Sequence, residues 1–248
     1  MDDWFDTLRS VGSLPVDASR ALDRDGFVVL PGPVPDARFG QVAAAYDAAV
    51  ASAPPSEVRV GRASTRVDDF VSRSAEFGGL YVYPPLLEAC CGVIGRPFKL
   101  SALHARTLHP DVPADALHVD VSRDSDAWPL VGFILMIDAF RPDNGATRFV
   151  PGTHRRPDGP VEVPGPGTAR NAAETAVQAC GPAGSLIVFH GSTWHGHSAN
   201  VSGAPRRSVQ GAFIPRDGRA AVDWGARLGP ETRTRLDALS RYLLDLPA

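Results

Sequence analysis

Leu130-Val131-Gly132-Phe133-Ile134-Leu135-Met136-Ile137-Asp138-Ala139-Phe140-Arg141-Pro142-Asp143-Asn144-Gly145-Ala146-Thr147-Arg148-Phe149-Val150 reads as strand, turn, strand. A short unbroken apolar run bounded by a Pro-Asp-Asn-Gly cluster is the pattern of a buried strand entering a turn. The same texture recurs around it: Phe98 to Leu108, Ala116 to Ser122, Gly184 to His190 and Arg206 to Ile214 are each predicted strands separated by Pro, Gly, Asp and Asn. Pro157 to Arg170, rich in Gly and Pro, is predicted to be a surface loop and a flap near the site entrance.

Upstream of Pro97 the pattern changes. Val16 to Arg24 is a predicted helix closed by Asp25-Gly26, and Phe27 to Leu30 a buried strand. From Pro35 to Ala51, Phe39, Val42, Tyr46 and Val50 recur at helical spacing, and Pro84 to Ile94 is a second helix with Gly95 beyond its end. Pro230 to Leu246 is predicted to close the chain as one helix, with Leu236, Leu239, Leu243 and Leu246 on one side. The expected fold is mostly β: a double-sheet barrel or jelly roll with supporting N-terminal helices and a C-terminal helix, residues 1–248 making one domain.

Composition narrows the function classes. The 248 residues carry 25 basic and 28 acidic side chains, a net charge of −3, so no basic field exists to attract a nucleic acid. All the basic residues but Lys99 are arginine. Three cysteines, two of them neighbours, do not make a disulfide framework and fit a reducing, cytoplasmic setting. The acidic start lacks the form of a signal peptide, and no stretch is expected to reach a membrane-span length.

Leu117-His118-Val119-Asp120-Val121 carries the chemistry. On a strand, His118 and Asp120 point the same way, with Cα atoms roughly 6.5–7 Å apart, a span one metal bridges. With one further His they make the facial triad that suits Fe(II). Two candidates stand in Trp194-His195-Gly196-His197, since both histidines face inward if that segment is a strand. Downstream, Pro205-Arg206-Arg207 offers an inward arginine that holds a dicarboxylate by parallel charged hydrogen bonds. Two His, an Asp and a distal Arg are the minimum apparatus of an iron enzyme that uses 2-oxoglutarate.

These residues resemble the phytanoyl-CoA dioxygenase family of Fe(II)/2-oxoglutarate oxygenases, over roughly residues 18 to 215. Arg24-Asp25-Gly26-Phe27-Val28-Val29-Leu30 is similar to the family's opening strand. Asn144-Gly145-Ala146-Thr147-Arg148-Phe149-Val150-Pro151-Gly152-Thr153-His154 resembles its most recognisable phrase. His118 and Asp120 match its His-X-Asp, and His195, Asn200 and Arg206 match its distal His, Asn and Arg in order and spacing. The resemblance implies a double-stranded β-helix (jelly roll) with Fe(II), 2-oxoglutarate and O2 as its reactants. It implies His118, Asp120 and His195 as metal ligands, and Arg206 for the distal carboxylate of 2-oxoglutarate. His197 and His104 are further candidates for 2-oxoglutarate, and His154 and His190 read as structural.

Asp120 fills the position that halogenating members leave open for chloride, so hydroxylation or a related oxidation is expected. The implied substrate is a small molecule, with a natural-product intermediate as one class. Arg62, Arg66, Arg106, Arg123 and Trp128 are candidates for lining the mouth, Arg106, Trp128 and Arg123 foremost. No nucleic-acid or membrane partner is expected, and the oligomeric state is not readable. Two rivals stand beside this reading: a zinc hydrolase on the same ligands, and a jelly-roll binding module without catalysis. Zinc hydrolysis does not require Arg206, and the intact ligands at all three metal positions count against a binding module.

Overall fold

The computed structural model describes residues 4–156 and 174–247. Its strands are β1 (Phe27–Leu30), β2 (Val58–Val60), β3 (Ser64–Val67), β4 (Phe98–Leu108), β5 (Val131–Met136), β6 (Thr147–Phe149), β7 (Val177–Gln178), β8 (Leu186–His190), β9 (His195–His197) and β10 (Arg206–Pro215). They form a seven-stranded sheet in the order β1-β8-β5-β10-β4-β3-β2, faced by a three-stranded sheet, β7-β6-β9. All pairings are antiparallel. This is the double-sheet jelly roll.

The apolar runs of β5 and β8 have a simple cause. Val131, Phe133 and Leu135 pack outward with Leu186 and Val188 into the core beneath the helices. Ile134 and Met136 face inward with Ile187 and Phe189, against Phe149 of the small sheet. Strands buried on both faces carry no polar alternation. Emptying one such position, for example Phe133→Ala, costs about 3–5 kcal/mol.

The helices Val16–Asp25, Asp36–Ala51 and Pro84–Ile94 form over the expected ranges. The first ends at Gly26, whose φ of 84° is the left-handed cap that glycine adopts without strain. Val42 and Tyr46 are buried, whereas Phe39 and Val50 pack at the margin.

Several expectations are corrected. Ala116 to Ser122 is not a strand. It is an irregular segment held by an isolated bridge between His118 and His195, because its partner β9 is only three residues long and cannot extend a ladder. Pro230 to Leu246 is two helices, Pro230–Thr234 and Ala238–Leu243. Asp237 interrupts it by accepting a hydrogen bond from the Ser240 N–H at 2.7 Å, although Leu243 and Leu246 still reach the core. Ala75–Ile94 is long and apolar enough to cross a membrane, contrary to the expectation from sequence. It folds as three short helical pieces whose Phe77, Leu80, Leu86, Leu87 and Ile94 belong to the core. Cys90, Cys91 and Cys180 are free. The flap expected at Pro157 to Arg170 lies outside the described residues.

Candidate metal centre and cosubstrate pocket

The ligand atoms of His118, Asp120 and His195 all lie within 4.8 Å of one another. His195 is placed by β9, and His118 reaches it through two backbone bonds, His118 N–H to His195 C=O and the reverse, each 2.9 Å. The Asp120 N–H donates to Gly191 C=O at 2.8 Å, which pins the carboxylate's end of the segment. Gly196 permits this approach: a Cβ there would meet the Ala116 carbonyl oxygen at 2.8 Å.

Hydrogen bonds set both imidazole tautomers. His118 Nδ1–H donates to Ala116 C=O at 3.1 Å, and His195 Nδ1–H to Thr193 C=O at 2.9 Å. Each ring therefore presents a bare Nε2, 4.0 Å and 3.6 Å from Asp120 Oδ1 respectively. Burial pushes the His195 pKa down, against the pull of Asp120, so the ring stays neutral as a metal ligand must be. Phe149 and Phe189 cover it, with ring centroids 5.5 and 4.8 Å away. This donor set, two imidazoles and a carboxylate converging on one point, fits a divalent metal with open positions.

The triad opens on a cavity of about 410 Å³ that also meets Arg206. Arg206 is 1% exposed, its guanidinium carbon 4.0 Å from the centroid of the Phe140 ring. Its Nε and Nη1 have no hydrogen-bond partner among the described residues. Burial lowers its pKa to about 9, which leaves it charged at neutral pH. A buried cation with two idle donors is costly unless an anion is meant to meet it, and a carboxylate of 2-oxoglutarate fits that need. Arg207 turns to the other face, bound by Asp138 and Asp47 at 2.7 Å each.

His104, Arg106 and His197 also line this cavity. His197 faces the same way as His195 but stands apart from the triad. Its Nδ1–H donates to Ser198 C=O at 2.9 Å, and its Nε2 is 3.9 Å from Asp115. Arg123 and Trp128, by contrast, do not line it. They cap a neighbouring loop, where the Arg123 guanidinium lies over the Trp128 ring at 5.4 Å and donates to His154 C=O at 2.8 Å. Nor does Arg62 reach it. His154 donates from Nε2 to Asp23 C=O at 3.0 Å, and His190 accepts from the Ser192 N–H at 3.1 Å, both outside the triad. The sequence reading passed over Gln210 and Thr147. Counting by twos along β10 from Arg206 reaches Gln210, a signal that was available.

Asn200 is fully buried and uses its whole side chain. It donates to the carbonyls of His109 and Ala204 at 2.9 and 2.8 Å, and accepts from Ser202 Oγ at 2.7 Å. It thereby ties the turn between β9 and β10, which sets the position of Arg206 against His195.

The chain has counterparts among known proteins. The family model described as Phytanoyl-CoA dioxygenase matches residues 22–208. "Uncharacterized protein Rv1501" of Mycobacterium tuberculosis is 34% identical over 136 residues, 54% of this chain and 47% of that protein. "Dioxygenase cdmA" of Talaromyces verruculosus is 35% identical over 117 residues, 44% of this chain and 36% of that protein. The chain thus spans about half the length, or less, of the curated relatives it matches. Among solved structures, HygX from Streptomyces hygroscopicus with nickel and 2-oxoglutarate bound superposes with a TM-score of 0.65 at 17% identity. That match covers 84% of this chain and 90% of HygX, and it establishes a shared fold.

Proposed function

The chain belongs to the phytanoyl-CoA dioxygenase family, and on that premise we propose that it is an Fe(II)- and 2-oxoglutarate-dependent dioxygenase that oxidises a C–H bond of a small molecule. Hydroxylation is the simplest outcome, and the whole chain acts as one catalytic unit. The observation that carries this reading is the convergence, on one cavity, of the His118–Asp120–His195 cluster and the Arg206 guanidinium, whose Nε and Nη1 have no partner among the described residues.

In this reading His118, Asp120 and His195 would hold the iron, and Arg206 would bind the distal carboxylate of 2-oxoglutarate. When bound, iron with 2-oxoglutarate supplies O2 activation coupled to oxidative decarboxylation, which gives succinate, CO2 and enough oxidising power for an unactivated C–H bond. The protein's own part is positioning. The carbonyls of Ala116 and Thr193 hold the two Nε2 atoms toward the metal position. Phe149 and Phe189 keep water from His195. No side chain is needed as a general base. Asp120 occupies the position a halide would require, so the reading is oxygenation and not halogenation.

A zinc hydrolase would leave Arg206 buried without purpose, and a binding module would not need three converging ligands. The cavity of about 410 Å³ suits a small substrate, a natural-product intermediate among the candidates. Anaerobic addition of Fe(II) and 2-oxoglutarate tests the reading. A weak visible absorption band should appear only with both, and succinate should form once air is admitted. Absence of the band in folded protein would refute it.

A further inference from the structure

Two arginines face each other on strands beside the site. Arg66 on β3 and Arg106 on β4 are direct register partners, so their side chains leave the sheet on one side, and both line the cavity of the triad. Like charges directly opposite on neighbouring strands destabilise a sheet. Burial adds to that cost, and it presses the pKa of each arginine downward.

Arg66 has local relief. Its Nη2 donates to His104 Nδ1 at 2.9 Å, and Asp68 lies 3.7 Å from its Nε. His104, kept neutral by burial and by both arginines and bonded to Gln210, serves as a fixed acceptor that orients Arg66. Arg106 has little relief. Its Nε donates to Ser64 Oγ at 3.2 Å, and Asp115 and Asp120 attract it only from beyond ion-pair distance. Among the described residues no carboxylate pairs with it.

Charge balance then indicates what is missing. The cavity lining holds three guanidiniums, Arg66, Arg106 and Arg206, against one carboxylate, Asp120. A ferrous ion and a 2-oxoglutarate dianion bring equal and opposite charge, so loading the site leaves the positive excess unchanged. Asp68 stands between Arg66 at 3.7 Å and Arg59 at 2.8 Å, so Arg59 already matches its charge. The positive excess therefore stays in the cavity, and Arg106, which no carboxylate among the described residues pairs, is the guanidinium left to meet a negative charge. We propose, resting on the oxygenase reading, that Arg106, backed by Arg66, recognises a carboxylate on the molecule to be oxidised, which makes the substrate an organic acid. The planar guanidinium fork suits that group by two parallel charged hydrogen bonds.

The test uses the full chain loaded with Zn(II) and 2-oxoglutarate, so that no turnover occurs. Matched acids and primary amides (benzoate, phenylacetate, 3-phenylpropanoate and octanoate, each with its amide) are titrated by ligand-observed NMR. In the wild type the acids should bind at least about tenfold more tightly than their amides, as a charge-assisted pair implies. Arg106→Gln should bring that ratio to about one while its 2-oxoglutarate affinity stays within about twofold of wild type, and Arg106→Lys should fall between. Because Arg106→Gln removes the opposed charge, the ligand-free variant should melt no lower than wild type. Acids and amides behaving alike in the wild type, neither binding included, would overturn the proposal. So would an Arg106→Gln variant that loses 2-oxoglutarate but keeps the acid preference, or one that melts lower. The band with Fe(II) and 2-oxoglutarate keeps the two readings apart: a normal band without acid preference defeats this inference alone.

Discussion

Arg206 and Arg207 are adjacent in the chain and opposite in surroundings: Arg206 is 1% exposed, with no partner for Nε and Nη1 among the described residues, while Arg207 is held by Asp138 and Asp47. Strand alternation alone produces the separation. One guanidinium is kept for a ligand and the other holds the protein together.

Arg206→Ala should raise the 2-oxoglutarate requirement by about a hundredfold or more, since losing one partner of a buried pair costs about 3–5 kcal/mol and each tenfold is about 1.4 kcal/mol. Arg207→Ala should leave that requirement nearly unchanged and instead lower stability by about 1–3 kcal/mol, through lost charged hydrogen bonds. Succinate formation against 2-oxoglutarate concentration, with melting curves, reads both. The reverse ranking would show the wrong arginine in the pocket.

Arg206→Met should stabilise the ligand-free protein, because a buried unpaired charge is replaced by an apolar chain of similar length. A rise in melting temperature of a few degrees is expected, at roughly 2–4 °C per kcal/mol for a chain of this size. With Zn(II) present throughout, adding 2-oxoglutarate should raise the melting point of wild type further but not that of the variant. A variant that melts lower would mean that Arg206 has a structural partner.

Asp120→Gly should abolish succinate formation and yield no chlorinated product in chloride buffer, since a halide site also needs a tuned surrounding shell. Mass spectrometry of the product decides. Chlorine incorporation by the native protein would defeat the oxygenation reading.

Gly196→Ala should push the Ala116 carbonyl away from β9, because the new Cβ would otherwise sit 2.8 Å from that oxygen. His118 moves with the displaced segment. A loss of about 1–3 kcal/mol of stability is expected, and metal affinity should fall about tenfold or more as the ligands separate. Co(II) titration monitored by absorbance gives the second number. Unchanged affinity would show that the His118–His195 bridge tolerates the shift.

Asn200→Ala should cost about 2–4 kcal/mol, since the carbonyls of His109 and Ala204 lose their buried donor. Urea unfolding measures it. The apparent 2-oxoglutarate affinity should weaken too, because the turn that carries Arg206 loosens.

Much of this protein was legible in its sequence, for a local reason. The apolar runs of β5 and β8, the glycine after Val16–Asp25, and the opposite facing of Arg206 and Arg207 follow from propensity and from a period of two, both written within one short segment. His118 and Asp120 were legible in the same way, although their segment is not a strand. Their convergence rests on the paired bonds of His118 with His195 and on the Asp120 N–H bond to Gly191 C=O.

The tertiary structure decided which segments meet. His195 and His197 have the same facing, and their different partners separate them: the backbone bridge from His118 meets His195, whereas Asp115 meets His197. Arg123 and Trp128 looked like mouth residues, but the pairing of one with the other and with His154 carries them to a different loop. The opposition of Arg66 and Arg106 depends on the register of β3 against β4, across a separation of about forty residues. Such contacts arise where burial of apolar surface, summed over distant parts of the chain, outweighs the entropy of closing the loops between them. No window of neighbouring residues contains that sum, whereas the type and facing of each ligand are already settled inside one.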